Sequence, residues 1–116
     1  MRYAIRMLSE LRLFGTPTRT KVLVGLALLG QSYPRELARV LRIPLMSVQR
    51  AVTQLDREGV TASRVIGVQR EVRLNPRFFA LSELQVLLLR LADAMPEERR
   101  SVEALRRRPR RAAKAL

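Results

Sequence analysis

The chain has 116 residues, 47% of them hydrophobic, which suffices for one domain and is too short for two separate cores joined by a linker. Its 23 Lys and Arg against 10 Asp and Glu leave a formal net charge of +13, so nucleic acid is the default partner; an acidic protein or an anionic membrane surface are the other candidates, the membrane weakened by only 4% aromatic residues. With no Cys and no His, zinc fingers, disulfide frameworks, thiol chemistry and a histidine general base are excluded, and no cofactor or metal is expected.

Residues 2–14 place Ile5, Leu8 and Leu11 at helical spacing, with Arg2, Arg6, Glu10 and Arg12 available to the other side, the pattern of a short amphipathic helix. That segment has no long apolar run or small-residue cleavage pattern, and the longest charge-free apolar stretch, Val22 to Ser32, falls short of the ~20 residues of a membrane span. A soluble cytoplasmic protein with no membrane partner is expected. Gly15-Thr16-Pro17 breaks the first helix, and Thr18 is the expected cap of a second. There Val22, Leu23, Leu26, Ala27 and Leu29 leave almost no polar face before Gly30, which assigns this helix to the centre of the core.

A third helix is expected after Ser32 as N-cap, with Pro34 in its first turn, running through Leu37, Ala38 and Leu41. Arg42-Ile43-Pro44 forms a tight turn into a fourth helix over 45–58, where Val48, Val52 and Leu55 recur at i, i+4 and i+7 beside Ala51, and Gly59 stops it. From Val60 to Leu74 the period changes to alternation, VTASRVIGVQREVRL, which reads as a hairpin with its tip at Ile66 to Gln69; Val72 and Leu74 face a core and Arg73 does not. Asn75-Pro76 closes the hairpin.

A last helix is expected to start at Ser82 as N-cap. It shows Leu84, Leu87, Leu88, Leu91 and Met95 on one stripe, and Val86 and Leu89 on a second flank. One small core does not absorb both. With Tyr3, Ile5, Leu8 and Leu11 of the N-terminal helix, the second flank predicts a two-fold homodimer; the alternative is that the N-terminal helix covers the last one within a single chain. Charge is uneven: residues 77–98 carry two basic and four acidic side chains, residues 99–116 eight basic and one acidic. The end of the chain, RRRPRRAAKAL, has too few large apolar residues to pack and is expected to be a solvated tail that adds sequence-independent phosphate affinity. The organisation expected is therefore an N-terminal helix over 1–15, a central domain over 16–76, a dimerisation helix over 77–98 and a basic tail over 99–116.

Three helices followed by a two-stranded hairpin, with a tight turn before the last helix, is the element order of a winged helix-turn-helix, a mainly α fold with a β-hairpin wing. A helix that reads base edges must show short polar side chains and an Arg on one side while the other side holds it on the core. Residues 45–58 meet both demands, and Met46, Ser47, Gln49, Arg50 and Thr53 are directed to the major groove. Arg50 is suited to a bidentate contact with guanine or to clamping a phosphate; on a helix without this role it is an ordinary surface Arg. In the hairpin, Arg64, Gln69 and Arg70 lie beyond the packed part, where charges near a tip reach phosphates or the minor groove, although any exposed hairpin carries charges. Arg19, Lys21 and Arg35, near helix starts, are weaker candidates for backbone contact.

The stretches LFGTPTRTKVLVGLALLG, YPRELARVLRIPLMSVQRAVTQLDREGV and SRVIGVQREVRLNP, together a little over half of the chain, resemble the winged-helix domains of ArsR-like bacterial and archaeal transcription regulators. They are especially similar to winged-helix modules that precede a nucleotidyltransferase domain in some prokaryotic proteins, a second domain with no counterpart in these 116 residues. The resemblance implies DNA contact from Ser47, Gln49, Arg50 and the wing arginines. The Cys and His ligands of metal-sensing members have no counterpart, so metal sensing is not implied.

Double-stranded DNA is thus the expected partner and transcription regulation the expected role. An enzyme is not expected: the carboxylates are dispersed, no Gly-rich phosphate loop occurs, and Ser and Tyr lack a His partner. No aromatic-lined pocket can be read, so no small-molecule ligand is expected. Two alternatives from other classes stand beside this reading, a winged-helix protein-interaction module and a chromatin-type binder without sequence preference.

Overall fold

The computed structural model of the chain describes residues 12–107. The expected N-terminal helix over 2–14 and the end of the basic tail fall almost wholly outside them. The described chain is mainly helical with a small three-stranded antiparallel sheet, an arrangement compatible with a winged helix. Its elements are α1 (Pro17–Leu29), β1 (Gln31–Ser32), α2 (Pro34–Leu41), α3 (Leu45–Arg57), β2 (Thr61–Ile66), β3 (Gln69–Leu74), α4 (Leu81–Asp93) and α5 (Pro96–Arg107).

Helix α1 starts two residues earlier than the Thr18 cap predicts. Thr16 is the N-cap, its hydroxyl accepting from the Arg19 N–H at 3.1 Å, and Pro17 takes the first helical position, where a missing N–H is not needed. Val22, Leu23, Val24, Gly25 and Leu26 are all buried, so α1 is surrounded rather than laid on a surface. Gly30, at φ 84°, ends it, and its N–H donates to the Leu26 carbonyl at 2.8 Å.

The next two residues form β1, which sequence reasoning did not expect, pairing Gln31 with Arg73 and Ser32 with Val72 of β3. This also displaces Ser32 as the cap of α2. Tyr33 occupies the N-cap position, and the buried Ser32 hydroxyl donates instead to Glu36 at 2.7 Å. Helix α2 ends at Arg42, in the left-handed conformation at φ 57°, and the three-residue turn delivers the chain to α3 as expected.

The α3 positions facing the core are Val48, Ala51, Val52 and Leu55, the stripe read from the spacing. The hairpin turns at Gly67 and Val68, between the paired Ile66 and Gln69, and the sheet order is β1-β3-β2. Asn75 fastens its base, with its N–H donating to Val60 and its side-chain amide to Gly59, both at 2.9 Å.

Helix α4 starts at Leu81 after Ala80, so Ser82 lies inside the first turn and is not the cap; its hydroxyl donates to Glu83 at 2.9 Å. Leu84, Leu88, Leu91, Ala92 and Met95 join the same core as α1, whereas Val86 and Leu89 remain exposed, and so does Leu87, which the spacing had placed on the core stripe. The expected tail boundary at 99 also gives way, because α5 continues to Arg107 with Val102 buried. Glu97 and Glu98 in its first turn and Arg106 and Arg107 in its last complement the helix dipole, and Glu98 lies 3.8 Å from Lys21 of α1. Among the described residues no helix is long and apolar enough to cross a membrane.

The packing of α1 against α2 leaves no room at Gly25: a Cβ there would sit 3.1 Å from Leu37 Cδ2 and within 3.7 Å of both Leu41 methyls. Gly25→Val is therefore expected to destabilise the fold by about 1–3 kcal/mol through overpacking, read as a lower urea midpoint at unchanged m-value. Unaltered stability would mean that the two helices are free to separate.

Candidate nucleic-acid interface

Helix α3 is amphipathic in a way that leaves a single ridge outside. Met46, Arg50, Thr53 and Arg57, at i, i+4, i+7 and i+11, are all exposed opposite the buried stripe. Arg57 was missed in the sequence, although continuing the Arg50 spacing by two turns finds it. Open clefts flank the ridge. One, of about 220 Å³, is lined by Tyr33, Pro34, Arg35, Gln49, Val68, Gln69 and Arg70. The other, of about 170 Å³, is lined by Thr16, Thr18, Arg19, Ser47, Arg50, Ala51 and Gln54. Eight of the nine expected site residues, all but Arg64, thus gather on one side of the molecule along α3 and its two flanks.

The arginines sort into free and committed ones. Arg35 and Arg50 are exposed and make no ion pair among the described residues. Arg19 is committed: it grips both Glu58 oxygens, one of them at 2.9 Å, and donates to Gln54 at 3.4 Å, with its side chain only 14% exposed. It therefore serves α3 rather than a nucleic-acid backbone. Lys21, directed to Glu98, faces α5.

Arg70 departs from expectation in the same way. It folds back from the hairpin onto α3, donating to Asp56 at 2.7 Å and to Thr53 and Ser63 at 3.3 Å each. Thr61 donates its hydroxyl to the other Asp56 oxygen. Asp56 is thus the joint between hairpin and helix, a role the sequence reading did not assign. A signal was present: Asp56 and Glu58 are the two carboxylates of the 45–58 segment, in a chain whose Lys and Arg outnumber its acids 23 to 10.

Arg64 is on the other face of the hairpin, directly across from Glu71, which it binds through Nε at 2.9 Å. Because β3 alternates, Arg70, Val72 and Leu74 share the face toward the helices and Glu71 the face away from them. The tip itself carries no charge: beside Gln69, its exposed side chains are the apolar Val65, Ile66 and Val68. Comparison of the chain with protein-family models, with curated proteins and with solved structures returns no match in any of the three.

The hydrogen bonds from Arg19, ahead of their direct charge attraction, hold the Glu58 carboxyl below its ordinary value of 4.5 against a smaller opposing effect of burial. A folded value below the unfolded one stabilises the protein above the unfolded value, and this stabilisation disappears as pH falls through the folded value. Glu58 is half exposed, so the contribution is at most about 1 kcal/mol. Glu58→Gln is expected to be less stable than the parent near neutral pH and to converge with it as acidification passes below 4.5 and through the lowered value of the folded state. Thermal unfolding across that range measures the gap; a constant gap would deny the ion pair its role.

Proposed function

We propose that this protein binds double-stranded DNA sequence-specifically as a winged helix-turn-helix transcription regulator, with α3 in the major groove and the 60–74 hairpin as a wing on the adjacent backbone or minor groove. The observation that carries the reading is the division of α3. One side is fixed in the core by Val48, Ala51, Val52 and Leu55, the opposite ridge offers Arg50 and Arg57 with Gln49 beside them, and both carboxylates near its end are occupied by arginines. A protein-interaction module would be expected to show an acidic or apolar α3 surface in place of Gln49 and Arg50.

In this reading Gln49 and Arg50 reach base edges, because both project from the first half of the helix that enters the groove. Arg35, in the first turn of α2, and the hydroxyls of Thr16 and Thr18 beside the Ser47–Arg50 cleft, meet phosphates on either flank. The resemblance to ArsR-like regulators implies Gln49 and Arg50 among these contacts, and a prokaryotic cytoplasmic setting goes with it. No catalytic step is assigned to the chain.

A homodimer is the second element of the proposal. Val86 and Leu89 stand three residues apart on the face of α4 turned from the core, with Leu87 exposed beside them. A chain of net charge +13 repels its copies, and the 77–98 segment, with two basic and four acidic residues, is where two copies meet with least repulsion. A two-fold axis through α4 would present two α3 ridges to two half-sites.

Selection of bound duplexes from a random library is expected to enrich one motif, and Arg50→Ala to relax it at one position at a cost of about 1–3 kcal/mol. No enrichment, or a motif unchanged by the substitution, would overturn the assignment of α3. Sedimentation is expected to give a dimer for the full chain and a monomer for Leu89→Glu; a monomeric parent chain would remove the dimer from the proposal.

A further inference from the structure

The wing of a DNA-binding protein would ordinarily present cations at its tip, and this one presents hydrocarbon. Val68 is fully exposed, Val65 is 75% exposed and Ile66 45%. No charged side chain lies between Arg64 and Arg70; the first is held by Glu71 on the outer face, and the second is turned back to Asp56. The tip therefore carries no free cation, its one polar side chain is Gln69, and three apolar side chains stand in water without a partner among the described residues.

Their shape and surroundings indicate what they meet. Gly67, at φ 63°, is the first central residue of a two-residue turn, the position where a tight type II′ hairpin turn requires positive φ. The tip is accordingly as narrow as a hairpin can be. Val and Ile are branched at Cβ and stiff about χ1, so they lose little freedom when inserted between other groups. Val68 also borders the cleft shared by Arg35, Gln49 and Gln69, which puts the tip on the side of the molecule that carries the α3 ridge. A polyanion lying along that ridge would pass beside the tip. A membrane surface is a poor fit, since the tip carries no aromatic anchor.

Resting on the DNA-binding reading above, we infer that the wing tip is an apolar wedge: Val68, supported by Val65 and Ile66, enters the minor groove beside the α3 site, partly unstacks a base step and kinks the duplex. Apolar wedges of this kind bend DNA by roughly 20–90° toward the major groove. Steps that unstack easily, such as pyrimidine–purine steps, are then preferred at the wing position although no side chain there reads a base edge. The wing so contributes specificity through deformation while α3 contributes it through direct contact.

The test uses the full chain and a duplex carrying the selected motif, labelled at both ends so that energy transfer reports its bend. The parent protein is expected to bring the ends together. Val68→Ser, at a position with no contact to disturb, is expected to bind the same motif up to about tenfold more weakly, with a smaller bend, and Ile66→Ser combined with it is expected to leave the duplex straight. Binding by the parent without a bend, or a bend undiminished in the double variant, overturns the wedge and leaves the α3 reading standing. Failure of the parent to bind any duplex overturns both. Unchanged bending together with altered self-association of the Val68→Ser variant would assign the tip to a protein contact and overturn the wedge.

Discussion

The burial of α1 on every side is the constraint from which the rest of the structure follows. Five consecutive residues, Val22 to Leu26, are out of contact with water, which no helix lying on a single surface achieves. Each fully buried Val or Leu favours the folded state by about 1.5–3 kcal/mol, and that gain exists only if elements close around the helix from all directions. Helices α2, α3, α4 and α5 and strand β3 do so. Gly25 sets how near α2 comes, because the absent side chain lets Leu37 and Leu41 approach the α1 backbone. The exposed ridge of α3 points outward because its opposite face is committed to this centre.

Apolar packing determines which side of α3 is hidden, and ion pairs determine what charge its visible side carries. Arg19 reaches Glu58 from α1, and Arg70 reaches Asp56 from β3, so the end of α3 is tied to the core helix and to the hairpin at once. Exposed or half-exposed pairs contribute little to stability in water. Their larger consequence is electrostatic. Two bare carboxylates within a turn of Arg57 would offset its charge and that of Arg50, and binding them to arginines from neighbouring elements leaves the ridge positive. The same bonds hold hairpin and helix at a fixed separation, which two elements must keep if they are to meet adjacent grooves of one duplex.

Much of this was legible in the sequence. The α3 stripe and the hairpin tip rest on local periodicity and on one glycine, Gly67, and both were found where expected. Features that depend on distant partners were not legible. Strand β1 is too short to show alternation and exists because Arg73 and Val72, some forty residues on, present an open edge. Arg19 and Glu58 are 39 residues apart, so nothing local distinguishes Arg19 from the free Arg35. Helix α5 has a single buried apolar residue, Val102, too little for a periodic signal, although its acidic start and basic end are those of a helix. The caps at Ser32 and Ser82 failed for a related reason: each hydroxyl found a carboxylate, Glu36 or Glu83, in place of a backbone N–H.

The net charge of +13 acquires a different meaning once the arginines are sorted. Part of it, Arg108, Arg110, Arg111 and Lys114, lies beyond the described residues in a stretch whose composition favours phosphate and no particular base. Within the described residues, Arg19, Lys21, Arg64, Arg70 and Arg99 are partnered by carboxylates; Arg35, Arg50 and Arg57 make no ion pair on and beside the α3 ridge, and Arg39, Arg42, Arg73, Arg90 and Arg100 make none on other elements. In the proposed complex, three free cations on and beside the ridge would give limited affinity from counterion release, so selectivity would rest on the geometry of a few contacts and on the deformation that a duplex accepts, both within reach of a rigid α3 beside a narrow apolar tip.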